Sequence, residues 1–450
     1  MQFPALQAIS PIDGRYRSIT APLSAFFSEA SVIRYRIKVE IAWFLALCDK
    51  GIPQLQSFPS DKKNLLMEMM ENPPTEAAAR IKEIEKQTSH DIKAVENYLR
   101  EVFDEHGLTA YKEFIHFGLT SQDINNTAFP MALKASFQQV MLPALEDLIA
   151  ALEGLARQWK AVAMLAHTHG QPASPTTVGK EIMVFVERLR KQSSHFSHIP
   201  FEGKFGGATG NLNAHYAAYP EIDWITVANR FLEEQLGLRR QQTTTQIEHY
   251  DNLAAFFDCL GRINTILLDA CRDFWTYISM DYFTQKLVAS EVGSSTMPHK
   301  VNPIDFENAE GNLGLANAVG HHLSAKLPVS RLQRDLTDST VIRNCGVPLA
   351  HSLLAWHSMK KGLLKLQLNK TKISRDLQLN PAVITEAIQT ILRREGIPGA
   401  YDRLKEISRG KDLSDPSVLE SFIRSLDLPQ TVKEELLRLK PETYTGKIPF

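Results

Sequence analysis

The stretch "DNLAAFFDCLGRINTILLDACRDFWTYISMDYF", Asp251 to Phe283, carries apolar side chains at Leu253, Phe256, Leu260, Ile263, Leu267, Ala270, Phe274 and Tyr277. The steps between them alternate three and four, which keeps one stripe of a helix apolar and marks a heptad seam. A second seam runs through Leu133, Phe137, Leu145, Leu148, Leu152, Leu155, Trp159 and Val162. Pro130 is expected to open it, and the Gly170–Pro172 break to follow its end. Both spans reach roughly thirty residues, well above the mean globular helix of about 11–12. Helices of that length need partner helices along most of their extent.

Working outward, further helical patterns lie near residues 25–50, 76–104, 175–198, 305–327 and 346–369, and alternating strand patterns are scarce. The expected fold is all-α, with three helical domains: residues 1–111, a central long-helix bundle over 112–345, and a smaller domain over 346–450. Several seams carry two apolar flanks, which points to assembly between chains as a homo-oligomer.

The bulk numbers exclude several classes. With 450 residues, 44% apolar and 22% charged, the chain can bury a large core and is neither disordered nor fibrous. Fifty basic residues against 51 acidic ones leave a net charge of −1, which gives no general attraction for nucleic acid or an anionic membrane. Any anion has to be bound locally. Four cysteines, at 48, 259, 271 and 345, make no CxxC pair and no metal-ligand spacing. The N-terminal "MQFPALQAISPIDGRYR" has no basic region leading into an apolar run. The expectation is a soluble cytoplasmic protein in a reducing compartment.

Four polar constellations interrupt the helical pattern. In "AHTHGQPASP", His167, Thr168, His169 and Gln171 crowd a Gly-Pro break between two predicted helices. The ordinary reading is a helix C-terminus with histidine facing the dipole. The functional reading uses an imidazole that exchanges protons near neutrality. In "QTSHDIKAVE", Thr88 and Asp91 have the spacing of a capping box around His90, and "HFGLTSQDINN" repeats it with Thr120 and Asp123. A helix N-terminus that is capped can also receive an anion. In "SRLQRDLTDSTVIRN", Arg331, Arg334 and Arg343 stand among Ser330, Thr337, Ser339 and Thr340. A solvated polar helix explains such a run equally well as a phosphate site does.

The most informative interruption is "EVGSSTMPHKVNP", Glu291 to Pro303. Pro298 and Pro303 fix the backbone around Lys300 and Asn302, while Gly293 leaves the serines free to move. A cation and an amide held beside a mobile serine loop make a lid over an anion clamp.

"GSSTMPHKVNP" resembles the fumarase/aspartase superfamily signature GSSxMPxKxN. Companion segments resemble the adenylosuccinate lyase family of bacterial type: "SPIDGRY" at 10–16, "TSHDIKAVE" at 88–96, "FIHFGLTSQDINN" at 114–126, "THGQPASP" at 168–175, "TTTQIEHYD" at 243–251 and "QRDLTDSTVIRN" at 333–344. The resemblance weakens after about residue 345. It implies an all-α chain of three domains whose central helices form one bundle in a homotetramer, with active sites at subunit junctions. The implied reaction is β-elimination of fumarate from purine ribotides, with no metal and no organic cofactor.

Removing a carbon-bound proton beside a carboxylate and protonating a departing nitrogen requires two opposed proton-transfer groups and an electrostatic clamp. The resemblance implies Ser294 as the base, with Ser295 as its rival, and His169 as the acid. Lys300 and Asn302 would face the carboxylates. It places Arg15, Tyr16, Arg334, Ser339 and Arg343, with Thr340 beside them, on the phosphate and ribose side. Ser89, His90, Asp91, Thr120, Ser121, Gln246 and Asn308 match other substrate-contacting positions, His90 in a positioning role. Ser89 departs from the pattern, since bacterial relatives often carry Asn there. Argininosuccinate lyase, fumarase and aspartase share the clamp but not the phosphate set. A catalytically silent helical scaffold is the alternative from another class, and such a chain is expected to lack one of His169, Ser294, Lys300 or Asn302.

Overall fold

The structure is a computed structural model and describes residues 5–286, 297, 300–408 and 415–450. Helix dominates it, and the only strands among the described residues form three two-stranded sheets. The first seam is one helix, Asp251–Ser279, of 29 residues. Leu253, Phe256, Leu260, Ile263, Leu267, Ala270 and Phe274 are all buried along it. Each fully buried Leu or Ile there stabilises the fold by about 1.5–3 kcal/mol.

The second seam differs from its expected form. The helix begins at Ser121, so Pro130 lies buried inside the Ser121–Ser136 segment and does not open it. Leu133, Phe137, Met141 and Leu145, all buried, recur every four residues. That is slower than the period of an α-helix, and the chain absorbs the difference in a π-helical turn over Phe137–Met141 before α-helix resumes at Leu142–Gln158. The residues after it are not a break between helices. Ala163–Thr168 pairs antiparallel with Gln171–Thr177, and only then does the Val178–Ser197 helix begin. The patterns near 305–327 and 346–369 are the helices Ile304–Lys326 and Gly346–Lys365.

Two compact units emerge. One comprises residues 1–145, 192–265 and 311–357, the other residues 146–191, 266–310 and 358–450. The core of the first gathers Trp43, Phe44, Phe103, Phe205, Trp224 and Phe231, with Trp43 edge-on to Phe205 and Phe231 at 4.8 and 5.1 Å. The second contains a separate small core between Ile384 and Leu436.

Candidate active site

In the first unit, the Glu29–Asp49 helix places Arg36 in an otherwise apolar run, where it is 1% exposed. A guanidinium hidden this well needs partners. Arg36 Nη2 donates to Asp91 Oδ2 at 2.7 Å and Nε to Asn125 Oδ1 at 3.0 Å. Arg343 Nη2 donates to the same Asp91 oxygen at 2.8 Å, and its Nη1 lies 3.5 Å from Glu29 Oε2. Burial alone raises the Asp91 carboxyl, but Arg36, the Ile92 N–H and Arg343 together hold it below the usual carboxylate value. Asp91 and Arg343 are thus brought together, and part of the Arg343 charge is already balanced.

The capping box expected at Thr88 and Asp91 is not formed. Thr88 is the last residue of the Ala77–Thr88 helix, and Ser89 follows in the left-handed conformation with φ 52°. His90 caps the next helix, Asp91–Glu105, its Nδ1 accepting from Lys93 N–H at 3.2 Å. An Nδ1 that accepts carries no proton, so the neutral ring holds its N–H at Nε2. With the cap at His90, Asp91 is the first residue of the helix, two residues short of the position from which a box acid reaches back, and its Oδ1 takes the Ile92 N–H at 2.8 Å instead.

At the second capping site, Asp123 Oδ2 accepts from Thr120 N–H at 2.8 Å, as expected. Asp123 does more than cap. Fully buried, its Oδ1 accepts from Lys204 Nζ at 2.8 Å and from Gly206 N–H at 2.7 Å, and Gly207 N–H lies 3.1 Å from Oδ2. The carboxylate ties the start of the Ser121–Ser136 helix to the loop 204–210. That loop needs its glycines: a Cβ on Gly206 would stand 2.7 Å from Gly210 O, and one on Gly210 2.4 Å from Thr244 O. Thr120 and Ser121 stay partly exposed beside it.

In the basic cluster the three arginines separate. Arg331 is 80% exposed and only 3.4 Å from Asp335, the solvated alternative. Arg334 is 19% exposed; its Nη2 donates to Ser339 Oγ at 2.8 Å and its Nη1 to Gln246 Oε1 at 3.5 Å. Gln246 in turn donates to Ala208 O at 3.1 Å. Arg334, Ser339 and Gln246, from two segments far apart in sequence, therefore form one node. Thr340 is exposed on the same short helix, Thr337–Ile342. Arg15 is exposed, its guanidinium 5.7 Å from the Tyr16 ring centroid.

In the second unit, His169 is the first residue of a two-residue hairpin turn between paired Thr168 and Gln171. His169 and Gly170 have φ 53° and 72°, the combination that matches the right-handed twist of the strands. The expectation of a helix C-terminus at this histidine is overturned by that turn, with Pro172 and Pro175 excluding helix after it. His169 is exposed at the hairpin tip. Lys300 is exposed and Asn302 partly so, while Asn308 Oδ1 accepts from Ser358 Oγ at 2.8 Å. Ser294 and Ser295, with the lid expected around Gly293, lie outside the described residues. No group of three or more metal-ligating side chains occurs among the described residues.

Arg36, Asn125 and Lys204 were not anticipated. A signal existed for two of them: a charge inside an apolar helical run, and a lysine directly before "FGGATG".

Residues 14–320 match a family described as Lyase, and residues 330–445 one described as adenylosuccinate lyase C-terminal. The adenylosuccinate lyase of Dictyostelium discoideum is 53% identical, covering 100% of this chain and 98% of that protein. Those of Legionella pneumophila strain Corby and Escherichia coli strain K12 are 49% and 46% identical, each covering 99% of this chain and 98% of its own. Among solved structures, the 3-carboxy-cis,cis-muconate lactonizing enzyme from Pseudomonas putida superposes with a TM-score of 0.75 at 20% identity, over 95% of this chain and 94% of that one, a likeness of fold.

Proposed function

The chain belongs to the adenylosuccinate lyase family, and from that premise we propose that it eliminates fumarate from adenylosuccinate to give AMP, and from succinylaminoimidazole carboxamide ribotide to give aminoimidazole carboxamide ribotide. The observation that carries the reading is identity with adenylosuccinate lyases from end to end, together with the C-terminal match at 330–445.

In this reading Ser294 takes the proton from the carbon beside the carboxylate, the carbon–nitrogen bond breaks, and His169 returns a proton to the departing nitrogen. Ser295 is the rival base. Lys300 and Asn302 face the carboxylates, where the negative charge of the aci-carboxylate grows. A serine hydroxyl hardly ionises at neutral pH, so the base needs the Lys300 charge, loop amides and exclusion of water. Arg15, Tyr16, Arg334, Ser339, Thr340 and Arg343 take the phosphate and ribose. Ser89, His90, Asp91, Thr120, Ser121, Gln246 and Asn308 contact or position the rest, His90 presenting its Nε2 proton outward. The arginine node around Ser339 supports the phosphate assignment, since a fixed guanidinium fork suits a phosphate.

Self-association as a homotetramer belongs to the same proposal. Val184, Trp275, Leu315 and Leu364 are exposed on four of the long helices, and Gly311 and Gly314 leave open space beside the Ile304–Lys326 helix. Exposed apolar side chains and small residues are what a second helix packs against. An exposed His169 supports active sites completed at subunit junctions. The three-domain division and a cytoplasmic location go with this reading; no helix among the described residues is long and apolar enough to cross a membrane.

The test is product identification. Incubated with adenylosuccinate, the purified protein releases fumarate and AMP in equal amounts. A folded protein that releases neither contradicts the proposal.

A further inference from the structure

We propose that Tyr250 and Asp338, steadied by Asn126, are positioning residues that hold the Arg334 guanidinium in the orientation that receives the substrate phosphate. The inference rests on the phosphate role given to Arg334 above and assigns work to three residues outside that set.

The geometry is a directed chain of hydrogen bonds within the first unit. The Glu248 N–H donates to Asn126 Oδ1 at 3.0 Å, which fixes the amide so that Asn126 Nδ2 donates to the Tyr250 hydroxyl at 2.6 Å. A hydroxyl that accepts on that side has its own proton to give, and it goes to Asp338 Oδ2 at 3.2 Å. The other carboxylate oxygen, Asp338 Oδ1, faces Arg334 Nε at 3.6 Å. Both of these atoms are buried and make no other hydrogen bond. A leftover donor and a leftover acceptor, each the other's complement and just beyond bonding distance, describe a pair that a small movement of the guanidinium completes.

Arginine has a long flexible stem, and a fork that binds phosphate well has to be held before the phosphate arrives. Ser339 and Gln246 fix the two Nη atoms, and Asp338 supplies the third point of the plane. The backbone supports this role. Tyr250 adopts φ 64°, rare for a bulky aromatic, immediately before the Asp251–Ser279 helix. That turn aims a buried phenol at Asp338. Burial first, then the nearby Asp338 and Glu248 carboxylates, push the Tyr250 hydroxyl well above its ordinary pKa, so it stays a donor at every working pH.

The experiment measures inhibition by the two products, AMP and fumarate, in Tyr250→Phe, Asp338→Asn and Arg334→Gln, with the thermal midpoint of each. The expected result is a rise in the AMP inhibition constant of about five- to tenfold in Tyr250→Phe and Asp338→Asn, the loss of one hydrogen bond's worth of orientation, with the fumarate constant unchanged. Arg334→Gln should raise the AMP constant further. If Arg334→Gln weakens AMP selectively while the other two leave it unchanged, or weaken AMP and fumarate alike, the positioning role is overturned and the phosphate role of Arg334 stands. If Arg334→Gln does not weaken AMP selectively, the phosphate role falls and the positioning role with it.

Discussion

Ser89 occupies a left-handed backbone position at φ 52° where a helix ends. Glycine and asparagine adopt that conformation more readily than serine. Ser89→Gly should therefore raise stability by about 0.5–1 kcal/mol, read as a higher thermal midpoint. If the substrate meets position 89 through the backbone alone, Ser89→Asn also keeps kcat/KM within about twofold; a larger loss gives the serine side chain a role of its own. His169 makes the complementary case. Standing exposed on a hairpin tip, it can be truncated without opening the core, so His169→Ala should keep the helical content and melting of the parent while kcat falls by about 10²–10⁴, the usual contribution of a general acid. Near-normal turnover would remove His169 from that role.

His215 stands on the short helix Asn213–Ala218 and packs against Gly118, where an added Cβ would come within 2.6 Å of its ring. Its ring is fully buried, 5.0 Å from Trp224 and 5.7 Å from Trp43, with neither nitrogen hydrogen-bonded. Burial, against the pull of Asp123 and with the repulsion of Lys204, lowers its pKa to about 4. A base whose folded pKa lies below its unfolded value of about 6.5 resists protonation, so the stability it allows is complete above pH 6.5 and declines as pH falls towards 4, by up to about 3 kcal/mol. Denaturant melts across that window should slope for the parent protein and slope less for His215→Phe, whatever the variant's stability at neutral pH. Equal slopes would contradict the assignment.

The first seam was legible because a heptad pattern states its own buried face, and the Asp251–Ser279 helix buries it from Leu253 to Phe274; the second was legible only in part, since a run of four-residue steps is taken up by a π-helical turn. The hairpin at 163–177 was not, because Gly170 and two prolines end a helix as readily as they frame a tight turn. The cap at 90 was misassigned for a related reason: Thr88 and Asp91 have the spacing of a box, but the left-handed turn at Ser89 makes His90 the cap. The ion pairs were out of reach from one chain's order alone. Arg36 finds Asp91 across 55 residues and Lys204 finds Asp123 across 81, and only folding brings those partners together. Arg334, Ser339 and Gln246 were named in advance through resemblance, and the structure adds the contacts between them.

For the whole molecule, the proposal distributes one active site over more than one copy of the chain, with His169 from one and the serine loop from another. Mixing His169→Ala with Ser294→Ala, each inactive alone, should then restore part of the activity once subunits exchange. No restoration after verified exchange would argue for sites built within a single chain. The central claim is the choice of substrate, and the most direct test is the rate of fumarate release from adenylosuccinate, argininosuccinate and malate, each offered to the purified protein without added metal. Rapid release from adenylosuccinate and little from the other two is the expected result; silence on adenylosuccinate from a folded protein that acts on argininosuccinate or malate would keep the carboxylate clamp and contradict the phosphate site.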